Sequence, residues 1–257
     1  MEEKPLFTIA LIVKEFAYLA SLTLDSIIKQ KFQSYEVVIV EVGAEQNMLR
    51  IIESYENQKI EVYHEKDGNL ASMMNKVVTF AKGKYIQFFY PGDQFLSNRS
   101  LQTASEIIGA RDDIDLFYGT QLERSGKYPE IAHQNLSLEL LQEGKVPSRL
   151  HSCWFSTKML SEEGNFDTRY PYRAAFDMFC RIYKKSPEKL VHFGRVFVDY
   201  EYRRVSPHIT LRYVVETYSL LFRHFGFKKA VVWWFVQDRI VITKWLFNKL
   251  KQIFWRA

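Results

Sequence analysis

Two aspartates stand where a carboxylate can do chemistry. Asp93 follows the dipeptide Pro91-Gly92, which turns the chain after the short apolar run of residues 85–90. A run of that length bounded by turn residues reads as a strand buried on both faces. Asp93 therefore lies at the carboxyl end of a strand, the edge at which open α/β sheets bind ligands. It is either a cation ligand there or a plain turn residue. Asp177, in the segment AAFDMFCRI, opens a helical pattern with Phe176, Phe179, Cys180 and Ile182 as its apolar positions. As a general base it would take a proton from an attacking hydroxyl. As a helix N-terminal residue it would only answer the macrodipole. Arg181 stands one helical turn further on, on the same face. It can orient Asp177, contact phosphate or form a plain intrahelical pair.

The elements that must hold these residues are legible from periodicity. Before Asp93, the residues Leu70, Met73, Met74, Val77, Val78 and Ala81 recur at the three-or-four spacing of one buried helix face. Gly83 reads as the C-terminal cap of that helix. Strand signals over 7–13, 37–42, 60–64 and 114–118 alternate with helix signals over 19–29, 48–55 and 100–110. This rhythm, with short connections, predicts an α/β fold: a Rossmann-like, mostly parallel central sheet with helices on both faces. Residues 119–172 are irregular, with turn signals at Ser125-Gly126, Tyr128-Pro129 and Val146-Pro147. Helices are expected over 157–163 and 176–184, and a strand over 190–198. Loops gathered in this half are where an acceptor would bind, since binding residues favour loops on a rigid scaffold.

Charge is unevenly placed. The 257-residue chain carries a net +5, yet from Glu201 onward eleven Lys and Arg residues face three acidic ones, a local +8. Residues 209–257 read as helical throughout, which divides the chain into a body, 1–207, and a basic, Trp-rich extension, 208–257. From Ala230 on, Trp233, Phe235, Val236, Ile242, Trp245, Leu246, Leu250 and Ile253 form a broad apolar face, and four of the five tryptophans lie between Trp233 and Trp255. Tryptophan favours the headgroup boundary, and several basic residues near an anionic leaflet give reversible binding. The extension thus predicts peripheral docking on the inner face of a membrane; a helical pair packed on the body or on a second subunit is the other reading. No apolar run approaches the roughly 20 residues that span a bilayer. The N-terminal MEEKPLFTIALIV lacks the basic region and cleavage site of a signal peptide. Cys153 and Cys180 have neither CxxC nor metal-like spacing, and both features predict a cytoplasmic protein. The tail suits a bilayer interface better than a phosphate groove, so nucleic acid is not an expected partner. There is no Gly-rich phosphate loop, zinc ligand cluster or nucleophile elbow.

Four segments, in order, resemble those of the family 2 glycosyltransferases with the GT-A fold, of the kind that builds bacterial surface polysaccharides. They are LTLDSIIKQKFQSYEVVIVEVG, DGNLASMMNKVVTFAKGKYIQFFYPGD, HSCWFSTKMLSEEGNFDTRY and AAFDMFCRI, and the resemblance runs from residue 7 to residue 198. It implies an inverting transferase that moves a sugar from a nucleotide-sugar donor, a UDP-sugar, to a hydroxyl of a glycan or lipid-linked acceptor. A divalent metal, magnesium or manganese, would neutralise the diphosphate leaving group. By the same resemblance Asp93 is the metal ligand and Asp177 the catalytic base. Lys14, Glu41, Asn75, Lys76 and Gly92 join Asp93 in binding the donor, while His151, Trp154 and Arg181 lie beside the acceptor or the phosphates.

The chain departs from the family pattern at two acidic positions. Tyr90 stands where the metal-binding motif begins, which leaves Asp93 as one protein carboxylate for an ion whose other ligands come from the nucleotide. The family's Asp-Asp-Gly-Ser after the second strand is here Glu41-Val42-Gly43-Ala44. Val42 accepts no hydrogen bond through its side chain, so Glu41 or the backbone would read the base. These departures keep a second function open: a degenerate GT-A domain that binds a nucleotide sugar or a partner without turnover.

Overall fold

The computed structural model describes residues 4–43, 45–55, 60–109, 111, 113–123, 130–132, 134–199 and 207–236. Ala44, the turn signals at 125–126 and 128–129, and the pattern from Ile242 to Ile253 lie outside these residues.

Strand β1 (Phe7–Val13) is buried along its whole length, and its side chains enter two different cores. Ile9, Leu11 and Val13 join one apolar cluster, Ala10 and Ile12 the other. Side chains that alternate between faces at every step need cover above and below. Strands β2 (Tyr35–Val42), β3 (Ile60–Glu65) and β4 (Tyr85–Phe89) run parallel to β1 in the order β3-β2-β1-β4. Helices α1 (Ala20–Ile28), α2 (Glu45–Glu53) and α4 (Ser100–Gly109) cover one face. Helices α3 (Leu70–Phe80), α5 (Leu138–Gln142), α6 (Thr157–Glu162) and α7 (Ala174–Lys185) cover the other. Asn69 starts α3 by accepting from Ser72 N at 3.0 Å, an N-cap bond.

Beyond β4 the sheet is mixed. Strand β8 (Cys153–Ser156) lies antiparallel between β4 and β6 (Leu116–Glu123), and β9 (Leu190–Val196) runs parallel to β6. A hairpin strand, β7 (Glu130–Ala132), pairs with the end of β6, and β5 (Gln94–Phe95) with β10 (Val198–Asp199) forms a separate two-stranded ribbon. Strand β8 has no signal of its own in the sequence, because four residues are too few to display an alternation.

Gly83 is not the helix cap expected of it. Helix α3 is capped at Ala81, whose backbone is extended. A Cβ on Gly83 would lie 2.5 Å from the backbone nitrogen of Thr8, so glycine is what lets the chain pass against β1. There the buried Glu36 Oε1 accepts from Thr8 Oγ1, Lys82 N and Gly83 N at 2.6, 2.6 and 3.1 Å. A carboxylate removed from water is tolerated when it is paired in this way.

Helices α8 (Pro207–Phe225) and α9 (Phe227–Val236) meet at Gly226, whose φ of +81° is the left-handed turn that ends a helix. Val214, Leu220, Leu221, Ala230 and Trp233 pack into the same cluster as α3 and α7. Trp233, expected on the outward face, is turned inward and donates to the Glu143 carbonyl at 3.0 Å. Phe222, Phe227, Trp234 and Phe235 are exposed. Among the described residues no helix is long and apolar enough to cross a membrane.

Candidate active site

The strand order reverses between β1 and β4, and ligands of open α/β sheets sit at the carboxyl ends of the strands beside such a reversal. Leu11 is paired with Phe89 across this boundary, so Lys14 and the turn at 90–93 emerge on its two sides. The turn is closed from within. Asp93 N donates to the Tyr90 carbonyl at 3.0 Å, and Tyr90 N donates to Asp93 Oδ2 at 2.8 Å. Gly92 takes a φ of +100°, which favours glycine. Thr23 of α1 latches the turn, accepting from Gly92 N at 2.8 Å and donating to the Tyr90 carbonyl at 3.3 Å. A threonine on a helix face carries no sequence signal for that task.

Asp93 is buried, and its Oδ2 lies 3.6 Å from His151 Nδ1. His151 belongs to a 3-10 turn (Leu150–Ser152) whose position is set by Gln87 Nε2 donating to the His151 carbonyl at 2.6 Å. The structure therefore brings Gly92, Asp93 and His151 together. Among the described residues no three His, Cys, Asp or Glu side chains converge as a ready-made metal cage. One carboxylate still suits magnesium or manganese when diphosphate oxygens and water complete the shell.

The other expected donor ligands are engaged in different ways. Lys14 Nζ donates to the Gly68 carbonyl at 2.7 Å, spanning from β1 to the loop before α3. Glu41 is buried, with Oε1 2.7 Å from Nδ1 of His64, its register partner on β3; the imidazole is the more exposed of the two. Lys76 pairs with Glu65 at 2.8 Å and lies 5.4 Å from the centre of the Phe80 ring. Asn75 holds the chain rather than standing open to a ligand. Its amide donates to the Phe166 carbonyl and its Oδ1 accepts from Phe166 N, both at 2.8 Å.

Trp154 requires a correction. It lies in the middle of β8, with no exposed surface, stacked on Phe117 at 4.6 Å between ring centroids and edge-on to Phe197. It is a core residue between β4 and β6 and has no face to offer a sugar ring.

Asp177 lies in the first turn of α7, 1% exposed and surrounded by cationic groups. Its Oδ2 accepts from Arg181 Nε at 2.9 Å. Its Oδ1 lies 2.7 Å from His224 Nε2 and 3.5 Å from Arg223 Nη1, both in the last turn of α8. Arg181 also donates to the Glu163 and Asn165 carbonyls, which ties the loop after α6 to α7 and occupies its guanidinium. Arg223 Nη1 donates to Asp167 Oδ2 at 2.9 Å, and Arg169 Nη2 reaches the same oxygen at 2.6 Å. Burial works to raise the Asp177 pKa. The His224 hydrogen bond and the charges of Arg181, His224 and Arg223 outweigh it and hold the carboxyl below the usual carboxylate range. The Arg169 hydrogen bond is the main reason that Asp167 is lowered too. Burial pushes the Cys180 thiol up to about 12, so it is an inert core group. Arg223 and His224 carry no mark of site residues in the sequence, where they are only basic positions on an amphipathic helix.

The model of the family described as glycosyl transferase family 2 matches residues 15–178. An uncharacterized glycosyltransferase, EpsJ, of Bacillus subtilis (strain 168) is 25% identical over 179 residues, 66% of this chain and 51% of that protein. A PGL/p-HBAD biosynthesis glycosyltransferase of Mycobacterium bovis (strain BCG / Pasteur 1173P2) is 25% identical over 127 residues, 48% of this chain and 50% of that protein. The chain thus spans about half the length of the curated relatives it matches. Among solved structures, S. aureus TarS 1–349 in complex with UDP superposes with a TM-score of 0.63 at 16% identity, over 85% of this chain and 66% of that one. The mannosyltransferase PcManGT from Pyrobaculum calidifontis, in complex with GDP-Man and Mn2+, gives 0.64 at 16% identity, over 86% and 65%. These likenesses show the fold, which is GT-A.

Proposed function

Because the chain belongs to glycosyl transferase family 2, matched over residues 15–178, we propose that it transfers a sugar from a nucleotide-sugar donor to a hydroxyl, with inversion at the anomeric carbon. The donor we assign is a UDP-sugar, the class held by TarS in its UDP-GlcNAc complex. The acceptor is a glycan or a lipid-linked saccharide of cell-surface polysaccharide synthesis. The observation that carries this reading is Asp93 beside His151 at the ligand-binding edge of the sheet.

Asp93 would hold a magnesium or manganese ion, with diphosphate oxygens and water as its other ligands, and His151 would lie beside the phosphates; such an ion neutralises the charge that grows on the leaving nucleotide. The complex of PcManGT with both GDP-Man and Mn2+ supports it. Gly92 and Thr23 keep the turn in the shape that presents Asp93. Lys14, anchored on the Gly68 carbonyl, adds positive charge at the same edge. Glu41 contributes at the nucleoside end through the His64 imidazole that it holds. Asp177 takes the proton of the acceptor hydroxyl, a contribution of roughly 10²–10⁴ in rate.

Residues 1–207 form the transferase body and 208–257 the extension, and we assign the protein to the cytoplasm, held peripherally at the inner face of the membrane. Support comes from the exposed Phe222, Phe227, Trp234 and Phe235 next to the exposed Lys228 and Lys229. The closed surroundings of Asp177 favour one other reading, a domain that binds nucleotide sugars without turnover.

Calorimetry with a panel of nucleotide sugars, with and without metal, followed by a transfer assay, separates the two. Metal-assisted binding with transfer supports the enzyme, binding alone supports the silent domain, and no binding of any sugar nucleotide overturns both. Flotation with anionic vesicles tests the extension. Flotation released by salt is expected, and protein that ignores anionic vesicles at low salt overturns the membrane assignment.

A further inference from the structure

Tyr218 of α8 with Phe227, Val231, Trp234 and Phe235 of α9 lines an open groove of about 430 Å³ between the two helices. Tyr218 meets Trp234 edge-on at 5.7 Å, and Phe222 continues the aromatic wall past the Gly226 turn, 6.5 Å from Phe227 between ring centroids. Phe227 is 63% exposed and Phe235 57%, apolar surface that water penalises while it stays uncovered. Small-molecule sites measure about 300–1,000 Å³ and are walled chiefly by apolar and aromatic side chains. A bilayer surface engages side chains that project, whereas a groove between two helices accepts one narrow chain.

One end of this groove is cationic. Arg223 adjoins Phe222, and the exposed Lys228 and Lys229 follow Phe227. The one acidic residue of α8 and α9, Glu216, is buried and accepts from Tyr172 N and Arg173 N before α7. Asp167 and Asp177 engage Arg223 through Nη1, and Lys229 shares its field with Glu139 of α5. The cationic end is also tied to the catalytic edge. Arg223 holds Asp167, the carbonyl of the next residue, Thr168, accepts from Asn69 Nδ2 at 3.0 Å, and Gly68 before it holds Lys14. A single loop thus links the charged end of the groove to the strand ends where a donor would lie.

We propose that this groove binds the lipid of the acceptor: one hydrocarbon chain lies between α8 and α9, and the phosphate or diphosphate that ends it rests on Arg223, Lys228 and Lys229. This rests on the transferase reading and narrows its acceptor from any glycan to a saccharide carried on a lipid phosphate. The apolar walls select the chain and the adjoining cations select an anionic head, so neither a free glycan nor a neutral lipid uses both. The groove lies outside residues 15–178 and belongs to the C-terminal helices of this chain, not to the segment matched by the family.

The test is calorimetry of the full chain with dissolved farnesyl diphosphate, below the concentration at which it forms micelles and with chelator present. One molecule should bind per chain, and inorganic diphosphate or farnesol alone should bind at least about tenfold more weakly, because each supplies one of two linked contacts. Phe227→Ser should weaken binding by about tenfold or more. Lys228→Ala and Lys229→Ala should each weaken it by about fivefold; these exposed positions keep the proposal open to refutation if Phe227→Ser does not fold. Absence of saturable binding, or binding that none of these variants weakens, overturns the proposal. So does displacement of the probe by UDP with magnesium, which would place it in the donor site. Binding to phosphatidylglycerol vesicles without binding of the dissolved probe means surface docking alone, and self-association that hides Phe227 means a second copy; either overturns it. A chain that binds sugar nucleotides but not the probe loses this groove and keeps the transferase reading. A chain that binds the probe but no sugar nucleotide loses the transferase reading and keeps a lipid-phosphate site.

Discussion

The two buried aspartates are held in opposite ways. Asp93 owes its geometry to its own turn, through the Tyr90 N bond to Oδ2, and to Thr23 gripping Gly92. Asp177 owes its geometry to a second helix, whose Arg223 and His224 lie 46 and 47 residues further along the chain. A carboxylate set by turn chemistry keeps its place when distant packing changes. One enclosed by side chains of another helix depends on how that helix docks, and its reactivity follows the docking.

The comparison is broken most sharply at Asp177. Asp177→Asn should lower turnover by roughly 10²–10⁴ while donor affinity barely changes, because the base acts on the acceptor. Steady-state kinetics beside calorimetry reads both quantities, and a variant that keeps more than about a tenth of the original turnover excludes Asp177 as the base.

A smaller effect is expected at Asp93. Asp93→Ala should weaken binding of a nucleoside diphosphate by about 10–100-fold with magnesium or manganese present, the scale of losing one ligand-shell partner. The loss with chelator should be far smaller. Equal losses in the two conditions would reduce Asp93 to a residue that closes its own turn.

The smallest effect concerns pH. Asp167 and Asp177 both titrate below the ordinary aspartate value of about 3.9, lowered by their hydrogen bonds and ion pairs. The stability they contribute is complete above that value and is lost as pH falls through their folded-state pKa values. Glu216, raised by burial, acts in the other sense and relieves its cost as pH falls. Arg223→Ala should move the acid unfolding midpoint upward by a fraction of a unit. It should cost under about 1 kcal/mol at neutral pH, because a half-exposed pair is screened. An acid titration that superposes on that of the unaltered chain would mean that Arg223 holds neither aspartate.

Much of the first half of the chain is legible in its amino-acid order, for a definite reason. The alternation of β1, the three-or-four spacing of α3 and the Pro-Gly turn preceding Asp93 are properties of contiguous residues, and contiguous residues are what a sequence displays. Cys180 and Ile182 likewise read as the buried side of α7 from spacing alone.

What the tertiary structure decided concerns partners and facing. Strand β8 exists because β4 and β6 leave room for it, and the same pairing turns Trp154 into core instead of a sugar platform. Gly83 is demanded by the close passage of β1, not by the end of α3. In α9 the adjacent apolar residues Trp233 and Trp234 give no sign in the sequence of which one faces inward; contact with Glu143 buries the first and leaves the second half exposed. The enclosure of Asp177 is the extreme case. A sequence shows that Arg223 and His224 are basic, but only the docking of α8 on α7 puts them against that carboxylate, because side-chain pairing across distant helices is set by packing and not by spacing.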